Sequence, residues 1–196
     1  MNSEAETVIA ETRAWVDRAV IGLNLCPFAK AVQVKNQIRY AVSDAADAEA
    51  LLDTLREELR LLAGADAAQV ETTLLIHPGV LTEFADFSDF LGAADAALEA
   101  LGYAGVLQVA SFHPQYRFAG TAADDVTNAT NRSPYPTVHL LREESIDRAV
   151  AAFPEAKTIY ERNIRTLQAL GLQGWSALEA QCRTDAADAK AQDRRG

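Results

Sequence analysis

At 196 residues the chain is long enough for one domain with a substantial core, and nothing in its composition divides it. Its apolar fraction of 49% is that of a globular protein, which excludes disorder except at the ends. The formal net charge of -10 argues against a nucleic-acid or anionic-membrane partner, because binding phosphates needs a basic footprint.

The opening stretch, Met1 to Val8, is polar and acidic, unlike a signal peptide. Ser3 followed by Glu6 has the capping-box pattern, and Val8, Thr12, Trp15, Val16, Ala19 and Val20 then form one helical stripe that Gly22 stops. Ile38 to Val42 predicts the first strand. Asp44 is placed to cap a helix carrying Leu51, Leu55, Leu59 and Leu62, stopped by Gly64. Val70 to Ile76 predicts the second strand. A helix from Glu83 to Leu101 follows, with Phe84, Phe87, Leu91, Ala94 and Leu98 on one face and Gly102 behind it. Val106 to Phe112 and Val138 to Leu141 predict the third and fourth strands. A short helix opens at Ser145 and stops near Phe153. The last begins at Pro154, carries Ile159, Ile164, Leu167 and Leu170, and ends at Gly171. Residues 183–196 have no periodicity and read as a frayed tail on a single domain of residues 1–182.

Helices between the strands imply right-handed crossovers and a parallel core. The fourth strand has no helix before it and is expected to pair antiparallel beside the third. The expected fold is therefore a single α/β domain. Its four-stranded mixed sheet is mostly parallel with the last strand antiparallel, and helices flank it at both termini. No run approaches the roughly 20 apolar residues that span a bilayer. Cys26 and Cys182 are too few for a disulfide framework and suit a reducing, cytoplasmic setting. Sequons at Asn128 and Asn131 then carry no glycosylation meaning. Nothing in the chain fixes an oligomeric state.

Residues 108–142 concentrate the polar chemistry. They hold His113, His139, Arg117, Arg132, Arg142 and three prolines between two strand-like segments. A long connection of this kind is costly to order inside a domain, and such loops are usually functional. If the first three strands run the same way, His77 and His113 follow two of them at the carboxyl edge, and the start of the fourth strand brings His139 back to it. Ligands bind at that edge of open α/β sheets. His77 has little polar company and reads as a strand end. His113 and His139 bracket the polar loop and are the candidate catalytic residues, with His113 as general acid–base, since an imidazole near pKa 6.5 suits that role.

Arg117 and Arg132, with Asn128, Asn131, Tyr116 and Tyr135, form a candidate cradle for a phosphorylated or carboxylated ligand. The competing reading pairs the arginines internally with Asp124, Asp125, Glu143 and Glu144, and Arg142 reads as structural because it opens a helix beside Glu143. A metal site from Cys26, His113 and His139 with Asp124 or Asp125 would suit zinc, but no ligand pair has the short spacing of known zinc motifs. Cys26 follows the first helix, whose negative end raises a thiol pKa, so it reads as a small buried apolar residue. Cys182 carries no signal. Ser111 and Ser133 lie outside any G-x-S-x-G elbow, and no glycine-rich phosphate loop is present.

The segments L-C-P-F-A at 25–29, A-S-F-H-P-Q-Y-R-F-A-G-T at 110–121 and T-N-R-S-P-Y-P-T-V-H-L-L-R-E at 130–143 resemble an uncharacterised bacterial family, catalogued as domain of unknown function 1415. The resemblance runs from about Thr7 to Gly171, implies no fixed histidine at position 77, and brings no activity or cofactor. Two functional readings stand on the residues: an enzyme acting on a small anionic metabolite at the 111–142 segment, or a non-catalytic module binding a ligand or another protein. A third makes the loop an internally satisfied plug. An open concavity reaching His113 separates the first from the last.

Overall fold

The N-terminal stripe buries Val8, Thr12 and Trp15 on helix α1 (Ser3–Trp15), which runs on through a π-helical stretch, Val16–Ile21, burying Val16, Ala19 and Val20. The computed structural model describes residues 3–152 and 158–193. Gly22 ends the stretch with its N–H on the Asp17 carbonyl, 3.0 Å away. A Cβ here would stand 2.2 Å from the Arg18 carbonyl oxygen, so close backbone approach requires glycine. A short helix, α2 (Ala29–Val34), follows and was not legible from periodicity.

Strand β1 (Ile38–Val42) leads to helix α3 (Ala48–Gly64), whose Leu51, Leu55, Leu59 and Leu62 are buried as their spacing predicts. The cap is Asp47, not Asp44: its carboxylate accepts the Ala50 N–H at 2.8 Å. Ser43 takes up the Ala45 N–H instead, so the preceding residues turn before the helix starts. Strand β2 (Thr72–Ile76), helix α4 (Phe84–Ala100) and strand β3 (Leu107–Phe112) come next. Strand β4 (Thr137–Arg142) runs directly into helix α5 (Glu143–Ala152). The expected stop near Phe153 and start at Pro154 lie outside the described residues.

The sheet is mixed, but it is not mostly parallel. Its order is β1-β2-β4-β3, and only β1 with β2 pairs parallel. Strand β4 lies beside β3 as expected but also inserts against β2, antiparallel to both. The long 113–136 connection makes this insertion geometrically easy. Strands β1, β2 and β3 still point one way, so their carboxyl ends share an edge.

Alternation sends Leu75, Val138 and Leu140 to one face, where they meet Leu51, Leu55, Leu59, Phe87 and Leu98 of α3 and α4. It sends Leu74, Ile76 and Phe112 to the other face, against Val8, Trp15, Val16 and Val20. Leu167 and Trp175 of helix α6 (Ile159–Asp193) complete that second face. Gly171 breaks α6 with φ 69°, a left-handed value that glycine adopts without strain. Helix then resumes and continues to Asp193, so the expected tail is helical over 183–193. Trp175, Leu178, Cys182 and Ala186 recur at three- and four-residue intervals and pack on α1 around Ala14 and Trp15. Arg18 and Asp185 pair across the same contact. Beyond Leu178 that stripe is carried by Cys182 and Ala186, small residues that a search for large apolar side chains passes over. None of the helices described is long and apolar enough to cross a membrane.

Candidate functional site

The three histidines do not form one rim. His77 and His113 follow β2 and β3 at the carboxyl edge, on the α3/α4 face, with Phe87 between them at ring-centroid distances of 5.5 and 5.2 Å. His139 is the third residue of β4, opposite Leu74 and Ala110. Its neighbours Val138 and Leu140 enter the α3/α4 core, so alternation turns His139 to the α1/α6 face. There it meets Phe112 at 5.8 Å. The geometry therefore separates the two residues expected to share a pocket.

His113 is sealed. Its Nδ1 accepts the Gln115 N–H at 3.0 Å and its Nε2–H donates to the Leu81 carbonyl at 3.2 Å. Its backbone N–H bonds the Asn131 carbonyl, and burial lowers its pKa. His77 is equally buried and donates Nδ1–H to the Val80 carbonyl at 2.9 Å, while burial pushes its pKa down to about 4. Both rings tie strand ends to loop backbone.

The polar loop is satisfied from within, largely by main chain. Asn128 has no exposed surface: Oδ1 accepts from the Phe118 N–H and the Thr121 hydroxyl, and Nδ2 donates to the Ala122 carbonyl. Asn131 donates to the Ser111 carbonyl at 3.0 Å. Arg132 reaches the carbonyls of Tyr116 and Ala123 at 3.3 and 2.6 Å, rather than Asp124 or Asp125. Asp125 caps a 3-10 turn, Val126–Asn131, and hydrogen bonds from Thr127 hold its carboxyl below the usual range. Arg142 gives Nη2 to the carbonyls of Leu62, Ala65 and Val70 at the end of α3 and beyond. Tyr116 packs on Phe84 and Phe118, Tyr135 donates its hydroxyl to Glu11 at 2.6 Å, and Arg117 is exposed.

Among the described residues no group of three or more His, Cys, Asp or Glu is placed to hold a metal. Cys26, His113, His139, Asp124 and Asp125 are thus not brought together as a ligand set.

What the sequence leaves unseen is a cavity of about 720 Å³ on the α1/α6 face. Its walls are mainly apolar, from Trp15, Val16, Val20, Val32, Ile38, Leu74, Leu141 and Ile146, with Phe112 and His139 on the sheet side. It extends toward the amino ends of β1 and β2, through Gln37, Ile38, Glu71 and Thr72, away from the edge where α/β sheets usually hold ligands. Cys26 packs against the core of this face but lines the cavity too, and is half-buried rather than buried as expected. Polar groups include Lys35, Ser145 and Arg148, the last paired with Glu71 and Glu144.

His139 bonds Thr72 through Nε2 at 2.7 Å, and the Thr72 hydroxyl also bonds the Leu140 carbonyl at 2.6 Å. Burial pushes the His139 pKa down to about 4, so the ring is neutral at pH 7. A second cavity, about 250 Å³, lies where Arg132, Ser133 and Tyr135 meet Glu11, Trp175 and Arg183. Trp175 lines it, but its indole N–H is sealed inside the protein and has no partner among the described residues. A groove of about 840 Å³ between α1 and the end of α6 is bordered by Glu6, Arg13, Arg18, Asp185 and Lys190 around an alanine-rich floor, with no histidine or cysteine among its lining residues.

No curated protein and no solved structure matches the chain. One family model does, over residues 7–177, and its description is "Protein of unknown function (DUF1415)". By that match, which spans the whole sheet and the polar loop, the chain belongs to the DUF1415 family.

Proposed function

We propose that this protein binds a small, mainly apolar molecule in the cavity on the α1/α6 face, with His139 as the polar contact at its sheet side. One observation carries the reading: about 720 Å³ of apolar-lined space contains a neutral histidine that is part-exposed although it lies within the fold. A volume in that range, with few polar groups among apolar walls, is what small-molecule sites have in common. His139 and Cys26 on the same walls supply the groups an enzyme could use. The polar loop then serves as scaffold, its amides and Arg132 holding carbonyls. Two free thiols suit a reducing compartment such as the cytosol.

The test is thermal melting with indole, a mainly apolar probe with a single N–H donor. At 100 times its dissociation constant a ligand stabilises by about 2.7 kcal/mol, a rise of roughly 5–10 °C for a chain of this size. Ala149→Trp, which fills the cavity from α5, should abolish the rise. An unchanged response in that variant would place the binding elsewhere.

A second reading, binding of a small anion, is favoured by the 250 Å³ cavity, where Arg132 and Arg183 both reach the wall, beside Glu11 and Glu179. Inorganic phosphate or acetate that protects wild type but not Arg132→Gln would support it. No protection by either ion would count against it.

A further inference from the structure

We infer that His139 presents an unprotonated Nδ1 to the apolar cavity on the α1/α6 face, and that the ligand sets a hydroxyl or N–H donor against it. This rests on the ligand-binding reading above and names the chemistry of its ligand.

Thr72 fixes the tautomer. A threonine hydroxyl carries one proton, and Thr72 donates it to the Leu140 carbonyl oxygen at 2.6 Å. The same oxygen lies 2.7 Å from Nε2 of His139. With its proton committed, it can only accept, so Nε2 bears the hydrogen. A neutral imidazole has one N–H, and Nδ1 is therefore a bare lone pair. No donor among the described residues bonds Nδ1, and the atom is not sealed inside the protein. The ring lines the cavity, which is the space left for a partner.

The other two histidines show the contrast. His113 has both nitrogens bonded to backbone, and the spare Nε2 of His77 is sealed. Only His139 combines an unused acceptor with open volume. The ligand class that fits has an apolar body and one O–H or N–H at the end that reaches the sheet, as in a phenol, an alcohol or an amide. Thr72 is a positioning residue: it holds the proton on the far side of the ring.

The probes are phenol and toluene, which match in shape and differ by the donor. Nitrogen NMR of histidine-labelled, ligand-free protein should show His139 with hydrogen on Nε2 and a bare Nδ1. Phenol should bind about tenfold more tightly than toluene, at the upper end for one buried hydrogen bond. His139→Gln keeps an N–H directed to Thr72 but has no acceptor at the Nδ1 position, and should bring the ratio near one. Hydrogen on Nδ1 in the free protein overturns the inference. Equal binding of both probes to wild type also overturns it, while leaving the cavity reading intact. If neither probe binds, the cavity reading falls and the inference falls with it.

Discussion

Lowering the pH from 7.5 to 5 should weaken this fold by about 4 kcal/mol through His77 and His139 alone. In the unfolded chain a histidine titrates near 6.5, whereas burial puts His77 and His139 at about 4. Their folded pKa values are depressed, so the unfolded state takes up protons first as the pH falls. Stability is complete above about pH 6.5 and is lost between there and about 4. At pH 5 each ring then costs about 2 kcal/mol, rising to about 3 by pH 4. His113 is shifted in the same direction and adds to the loss. Two such groups remove a large share of a typical 5–15 kcal/mol stability. Carboxyls held low, Asp125 and Asp185, act in a different window, losing their contribution only below the ordinary aspartate range. Urea unfolding followed by Trp15 and Trp175 fluorescence at pH 7.5, 6.5 and 5 measures the effect. His77→Asn keeps a donor for the Val80 carbonyl without a titrating ring, so it should lose about half of the pH dependence. Equal midpoints at pH 7.5 and 5, or an unaltered slope in the variant, would refute the reasoning.

Removing the Asn128 side chain leaves the Phe118 N–H and the Ala122 carbonyl without their partner. Asn128→Ala should cost about 3 kcal/mol and lower the melting temperature by roughly 6–12 °C, measurable by circular dichroism. Gly22→Ala should be at least as damaging, because its Cβ meets the Arg18 carbonyl oxygen at 2.2 Å; a wild-type melt would contradict the tight turn. Cys182 is buried, donates to the Ala14 carbonyl, and its thiol is pushed up to about 11 by burial. A disulfide reagent at pH 8 should therefore label Cys26, on the cavity wall, well before Cys182, and mass spectrometry of digests would show the order.

Local signals served the helices and strand positions well. The leucines of α3 and the phenylalanines of α4 announce their buried face by spacing, and Ile38–Val42 is a strand residue for residue. Strand order was a different matter: β4 slips between β2 and β3 through pairings up to 69 residues apart, which no local pattern encodes (Thr72 with Leu141). The 113–136 loop was visible as polar, but its partners were not. Arg132 and Asn128 bond backbone carbonyls and amides, which every residue possesses, so the sequence pointed toward side-chain partners instead. The cavity lies further from view because Val16, Val32, Ile38, Leu141 and Ile146 look like ordinary core residues. Only the fold shows that they surround space, and that His139 faces it while His113 does not.

Methyl NMR during a titration with indole bears most directly on the central claim, that the ligand site is the cavity on the α1/α6 face. Methyl signals of Val16, Val32, Ile38 and Ile146 should move together and saturate, while those of Leu51, Leu55 and Leu98, on the opposite side of the sheet, stay in place. Signals that remain fixed on the cavity walls, or that move only in the α3/α4 core, would contradict it.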